Sequence, residues 1–352
     1  MTDTIDDDES DSGGAIISAD ARRAIMRKVR GQYFRTGRDD RLTAGIEFLL
    51  DLSTTEGAEG RALVVIGESG VGKTRTITHT LKRHPQLCGV GASGSSSPLV
   101  TVRAPAPCTL LQLGRTLLHD LGYPLQSDRK EHIVWEKARE HLELAGVRFL
   151  HIDEIQNVSR TANVLEAHKI RDTLKSLLNS PTWPVSLILS GLPEFAKFIQ
   201  ADAQIRRRSR FITFGPLTAG DIKSVFGMVK KLATIANLAV EAGAENTTIP
   251  RLLHAANYQM GIAIELTHEA IEAALLRGAA TIQSSDFADA YAMRTGNGAA
   301  ANPFLAPNWA SINASDVLKN APSAQDGELD PEEDGGPDKH PPRGGPSGKG
   351  RR

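Results

Sequence analysis

Eight consecutive residues, Gly67-Glu68-Ser69-Gly70-Val71-Gly72-Lys73-Thr74, carry the strongest chemical signal in the chain. Glycines at its fixed places let backbone N–H groups converge on phosphate oxygens, and the start of a following helix adds partial positive charge. A lysine and a hydroxyl residue complete the pattern G-x-x-x-x-G-K-[ST]. The Lys73 ammonium would reach β- and γ-phosphates, and the Thr74 hydroxyl would ligate Mg²⁺. The apolar run Ala62-Leu63-Val64-Val65-Ile66 before the loop reads as a buried strand, and Thr76 to Lys82 after it as a helix. A glycine turn with a chance Lys-Thr rarely falls in that strand–loop–helix context. ATP and Mg²⁺ are therefore the expected ligands.

Three further sets of residues fit the same chemistry. Val147-Arg148-Phe149-Leu150-His151-Ile152-Asp153-Glu154 is an apolar run closed by two carboxylates. Asp153, at the end of a buried strand, would hold the Mg²⁺, and Glu154 would polarise the attacking water. Alone such a run is common; behind a phosphate loop it is specific. Pro184 to Gly191 reads as another buried strand, and Ser190 at its end stands where a hydroxyl meets the γ-phosphate or the lytic water. A helix cap before Leu192-Pro193-Glu194 is the plainer reading of that serine. Gln204-Ile205-Arg206-Arg207-Arg208-Ser209-Arg210 then gathers four guanidiniums before a fifth strand. A solvated corner, a DNA phosphate contact and an arginine finger reaching a neighbouring subunit's nucleotide all fit, with Arg208 ranked before Arg207 for the finger.

Elements must position these groups, and the 352 residues supply ample apolar material for a buried core. One more strand, Pro98 to Arg103, and two helical stretches, 109–121 and 129–145, separate the phosphate loop from Asp153. Residues 1–20 form an acidic N-terminus expected to be disordered, and 21–52 a helical arm rich in arginine. Its basic residues suit either a solvated helix face or a surface turned to nucleic acid or to another protomer. Leu42 to Leu52 has helical apolar spacing and is expected to pack on the nucleotide domain. That domain would run over 53–216, a helical lid over 217–295, and a linker with a disordered, Pro/Gly/charge-rich tail over 296–352. Cys88 and Cys108 are too few for a disulfide framework and read as small buried hydrophobes. Without a signal peptide or a long apolar span the chain is expected to be cytoplasmic and away from membranes.

Residues 40–295 resemble AAA+ ATPases, which implies an α/β P-loop NTPase with a parallel five-stranded sheet, helices on both faces and a C-terminal helical lid. One departure is the lid segment Gly261-Ile262-Ala263-Ile264-Glu265-Leu266, which lacks the arginine of the Gly-x-x-Arg sensor many such lids carry. Within AAA+ proteins the chain is most similar to the TniB/TnsC group of transposition ATPases. Four segments carry that likeness: Gly67 to Thr74, Phe149-Leu150-His151-Ile152-Asp153-Glu154-Ile155-Gln156-Asn157, Leu189-Ser190-Gly191-Leu192-Pro193-Glu194, and Gln204-Ile205-x-x-Arg. The resemblance implies an ATPase stimulated by oligomerisation or DNA. It would assemble as a ring or helical filament on double-stranded DNA, recruit a DDE-family transposase and work with a target-selection protein.

Filament-forming relatives grip backbone phosphates, a mode independent of sequence. Arg103, Thr109, Arg129 and Lys130 are the candidate contacts, each also readable as ordinary surface. Two rival classes stay open: a STAND-like switch that recruits proteins as a scaffold, and a helicase-loader or initiator ATPase. Beyond the lid, Asn302 to Trp309 places Phe304 and Trp309 between prolines. The pair either folds back onto the lid or serves as a short docking motif for a partner.

Overall fold

Along Ala62–Gly67 every residue is buried. Its side chains enter opposite apolar layers in turn, Leu63 and Val65 into one, Ala62, Val64 and Ile66 into the other. A strand buried on both faces belongs inside a parallel sheet. It lies there in this computed structural model, which describes residues 17–53, 59–87, 97–160 and 162–318.

Two helices come first, α1 (Ala19–Arg30) and α2 (Gly37–Ser53). Then follow β1 (Ala62–Gly67), α3 (Lys73–Arg83), β2 (Leu99–Arg103), α4 (Leu110–Asp120), α5 (Glu131–Leu144) and β3 (Phe149–Asp153). The alternation continues through α6 (Gln156–Arg160), α7 (Val164–Leu178), β4 (Ser186–Gly191), α8 (Pro193–Gln200), α9 (Ala203–Arg207) and β5 (Ser209–Phe214). The lid comprises α10 (Ile222–Ile235), β6 (Ala239–Val240), α11 (Thr248–Ala255), α12 (Met260–Leu276), β7 (Thr281–Ile282) and α13 (Ser284–Thr295).

The five long strands run parallel in the order β2-β3-β4-β1-β5. Thus β4, the fourth in sequence, separates the phosphate-loop strand from β3 in space. Apolar side chains of α2 and α3 cover one face of the sheet, Leu42, Ile46, Leu49, Ile77 and Leu81 among them. Side chains from α4 through α9 cover the other. A third apolar cluster holds the lid helices together, centred on Leu232, Leu266, Ile271, Phe287 and Tyr291.

The basic segment 21–52 is two helices with separate allegiances. In α1, Met26 and Val29 are buried in the lid cluster, whereas α2 gives Leu42, Ile46, Leu49 and Leu50 to the sheet. Each helix carries its own apolar stripe, and Gly31 to Thr36 lets the chain pass from one body to the other. That connector is fastened to the phosphate-loop helix: the Arg75 guanidinium donates to the carbonyls of Arg30 and Gln32, and Tyr33 stacks on His79 with ring centroids 3.4 Å apart.

The expected linker does not begin at residue 296. Residues 299–318 form three short 3₁₀ turns that pack on the lid. Phe304 is buried and stacks against Phe287, Asn302 donates from Nδ2 to the Ala288 carbonyl, and Arg251 donates to the carbonyls of Pro303 and Ala306. Trp309 meets His254 edge-on at 5.4 Å. The prolines that forbid a regular helix here do not prevent burial, because side-chain donors from α11 and α13 satisfy carbonyls that a helix would have paired. The acidic stretch 1–16, Cys88 and the tail beyond 318 lie outside the described residues; Cys108 is buried, and burial pushes its thiol up to about 11.

Candidate nucleotide site

Because β3, β4 and β1 are neighbours, their carboxyl ends bring Asp153, Ser190 and the loop Gly67–Thr74 to one edge of the sheet. Gly70 and Gly72 adopt φ of 77° and 96°, the left-handed region that a side chain disfavours. Gly72 caps α3, and no side-chain hydrogen bond closes that N-terminus. Lys73 is buried and donates from Nζ to the carbonyls of Gly67 and Glu68 at 2.8 and 2.9 Å. Burial pulls its ammonium below the ordinary lysine value, and the Glu154 and Asp153 carboxylates offset part of that shift. A polyphosphate at this loop would supply the anionic partner the ammonium lacks.

Thr74 Oγ1 donates to Asp153 Oδ2 at 2.8 Å. A hydroxyl and a carboxylate this close make the hard oxygen donor pair Mg²⁺ takes beside substrate phosphates, with its remaining places left to water and phosphate. Among the described residues no larger cluster of His, Cys, Asp or Glu could hold a metal. Thr74 and Asp153 are thus the residues that would hold the ion, whose chemistry there is to neutralise phosphate charge.

Ser190 is fully buried, and its hydroxyl donates to Asp153 Oδ1 at 2.5 Å. With that proton committed, the 3.0 Å contact from His151 Nε2 must be His151 donating to Ser190 Oγ. His151 Nδ1 is then a bare nitrogen with no partner. Protonating it would bury an unpaired donor, and burial holds His151 well below the usual histidine range. The polar chain His151–Ser190–Asp153–Thr74 therefore orients the Asp153 carboxylate from behind. An imidazole inside the apolar run of β3 gives no sequence signal for that role.

Glu154 follows in the left-handed region, φ 54°, and its Oε2 accepts a short hydrogen bond from Gln156 Nε2. Arg38, read from sequence only as part of a basic arm, donates to the carbonyls of Val71 in the phosphate loop and Gly215 at the lid hinge. The roles of Gln156 and Arg38 both escaped sequence reasoning, although Gln156 lies in a quoted motif and Arg38 in the basic arm.

The lid meets the loop at the start of α12. A Cβ at Gly261 would lie closer than 3.0 Å to the Gly70 carbonyl oxygen, and one at Gly70 would lie that close to Ile262. Backbone therefore touches backbone at Gly261, while Ile264 stands at the arginine's place in the Gly-x-x-Arg pattern; Glu265, one turn on from Gly261, binds Arg294 at 2.7 Å. Gly261→Ala must push the lid away from the loop. The variant is expected to bind a fluorescent ATP analogue at least about 10-fold more weakly, roughly 1.4 kcal/mol. Gly298→Ala, with nothing within 4 Å of the added methyl, should bind like the parent. Equal titration curves for the two variants would rule out a lid contribution.

The arginine cluster divides. Arg208 Nη2 pairs with Glu59 at 2.6 Å, and Arg210 stacks over Phe48 at 3.2 Å from the ring centroid. Arg206 and Arg207, at the end of α9, are exposed and form no ion pair among the described residues. The residue ranked first as a finger is thus held within its own chain, and the second is accessible.

Of the DNA-contact candidates, Arg103 pairs in register with Asp153 and so lies at the carboxyl edge of the sheet. The Thr109 hydroxyl caps α4 by accepting from the Gln112 amide, and Lys130 is the N-cap residue of α5. Thr109 and Glu131 line one small cavity, so the two helix starts adjoin, with Arg129 and Lys130 exposed beside them.

With this geometry in place, likeness to known proteins bears on the fold. A family model described as an AAA domain matches residues 57–199. The ORC1 protein of Aeropyrum pernix, solved in complex with DNA, superposes with a TM-score of 0.56 at 16% identity, over 78% of this chain and 69% of that one. The fold is AAA+. Cdc6p of Pyrobaculum aerophilum gives 0.55 at 16% identity over 78% and 71% of the two chains. ORC2 of Aeropyrum pernix, solved as ADPNP–ADP complexes, gives 0.53 at 15% over 76% and 71%. No curated protein sequence matches the chain. Among the described residues no helix is long and apolar enough to cross a membrane.

Proposed function

We propose that the chain is an ATP-hydrolysing switch that grips duplex DNA through its backbone, assembles on it, and recruits or activates a DDE-family transposase. The observation that carries the ATPase part is the meeting of Lys73, Thr74, Asp153 and Ser190 at three adjoining strand ends, with Glu154 next in line. In this reading the loop amides and Lys73 bind the phosphates, Thr74 and Asp153 hold Mg²⁺, and Glu154 accepts the proton of the attacking water. Ser190 keeps Asp153 oriented. The transposition part rests on the Asp153-Glu154-Ile155-Gln156-Asn157 and Ser190-Gly191-Leu192-Pro193-Glu194 blocks, which resemble the TniB/TnsC group more specifically than the phosphate loop does.

A second reading, an initiator or helicase-loader ATPase, draws support from the ORC1–DNA complex and from the Drosophila ORC bound to DNA, which superposes at a TM-score of 0.50 with 16% identity. One experiment separates them. The full chain is incubated with random-sequence duplex DNA and a slowly hydrolysed ATP analogue, imaged by electron microscopy, and used to capture the organism's DDE transposase or its replicative helicase. Nucleotide-dependent assembly on any duplex, weakened steeply by salt, together with transposase capture supports the first reading. Helicase capture supports the second. Assembly without DNA would leave neither and favour a protein scaffold.

A further inference from the structure

Glu154 sits on a turn that is braced from three sides. The Ile155 amide donates to the Ser190 carbonyl at 3.1 Å, the Asn157 amide donates to the Glu154 carbonyl at 2.9 Å, and Asn157 Nδ2 donates to the Ala104 carbonyl at 3.0 Å. A non-glycine residue at φ 54° is held there by its surroundings rather than by preference. The backbone is thus fixed, but a glutamate side chain keeps three rotatable bonds. Fixing the backbone does not aim the carboxylate.

Gln156 supplies what is missing. Its side chain is 3% exposed, and both ends of the amide are used. Nε2 donates to Glu154 Oε2, while Oε1 accepts from the Leu192 amide at 3.1 Å, just past the end of β4. The site is shaped around it: a Cβ at Gly191 would come closer than 3.0 Å to Gln156 Oε1, so only glycine leaves room for the amide. A glutamine kept merely to satisfy backbone groups would spend both ends on the main chain. This one spends one end on the main chain and the other on the carboxylate next to the metal-binding aspartate. A single donor on Oε2 leaves Oε1 free to accept from water.

We infer that Gln156 is the positioning residue of the hydrolytic base, tethering Glu154 to the β4–α8 junction so that one carboxylate oxygen is held and the other faces the water. The inference rests on the ATPase reading above. It also ties the base to α8 and α9, the elements that lead from Leu192 to the exposed arginines, so a shift of those helices reaches Glu154 through one side chain.

The test is a double-mutant cycle on the full chain, reading ATP affinity by titration and kcat by phosphate release under DNA stimulation. Gln156→Leu is expected to lower kcat about 10- to 100-fold, the cost of a base misplaced by an ångström, with ATP affinity changed less than about 3-fold. Because Gln156 acts only through Glu154, the pair Gln156→Leu/Glu154→Gln should be no slower than Glu154→Gln alone. Were Gln156→Leu not to fold, the isosteric Gln156→Glu carries the test: it replaces the donor by a second carboxylate, and the same loss of kcat at retained affinity is expected. A wild-type kcat in the variant that folds, or an ATP affinity lost in step with kcat, overturns the positioning role. The failure of the underlying reading looks different, since Glu154→Gln would then hydrolyse ATP like the parent whatever Gln156 does.

Discussion

Glu154→Gln is expected to keep ATP bound and to lower turnover by about 10²- to 10⁴-fold, the range for losing a positioned general base. An amide keeps the size of the carboxylate and its contact with Gln156 but cannot take a proton from water. Lys73→Ala should fail earlier. Its Nζ already holds the carbonyls of Gly67 and Glu68, so the substitution removes the positive charge at the phosphates and loosens the loop that cradles them. Titration with an ATP analogue beside a phosphate-release assay distinguishes the two: affinity should survive in Glu154→Gln and fall in Lys73→Ala. Wild-type turnover in Glu154→Gln would show that another group polarises the water.

The centre of the sheet was legible because β1, β3 and β4 are apolar runs, each with a chemical residue at its carboxyl end. Gly67 after Ile66, Asp153 after Ile152 and Ser190 after Leu189 mark three strand ends, and parallel pairing must bring such ends to one edge. What stayed illegible depends on contacts that no spacing encodes. His151 reads as one polar residue inside a buried strand, and only the parallel register of β3 and β4 puts it against Ser190. Gln156 lies in a quoted motif, yet its role needs the Leu192 amide from the far side of α7 and β4. The division of 21–52 was hidden because the run of arginines continues from α1 through Arg35 into Arg38 and Arg41 at the start of α2; the burial of the two helices on different bodies is decided by Met26 and Val29 against Leu42 and Ile46. The turns after residue 296 looked like linker because proline excludes a regular helix, although it does not exclude a packed loop.

Arg207 is expected to act in trans, and its loss should cost far more than that of Arg208. Arg208 is 20% exposed and committed to Glu59 at 2.6 Å within the same chain, so it is poorly placed to reach a second nucleotide. Arg207 ends α9 without an ion pair among the described residues, on an exposed corner where an unmatched guanidinium is inexpensive only because water surrounds it. A neighbouring subunit's γ-phosphate would replace that water with a charge-assisted fork of hydrogen bonds. Arginine fingers are worth about 10³- to 10⁵-fold in rate, so Arg207→Ala should reduce the DNA-stimulated activity toward the unassembled level while ATP affinity holds. Arg208→Ala should mainly loosen the Glu59 contact, a stability loss of about 1 kcal/mol for a pair whose glutamate is half exposed. Mixing decides whether the residue works across a boundary. Arg207→Ala and Lys73→Ala proteins are each inactive alone, but some interfaces in a mixed assembly join an intact nucleotide loop to an intact finger, and activity should return in part. If specific activity is instead independent of protein concentration and mixing restores nothing, the active site is complete in one chain, and Arg207 belongs to the DNA-facing or solvated surface.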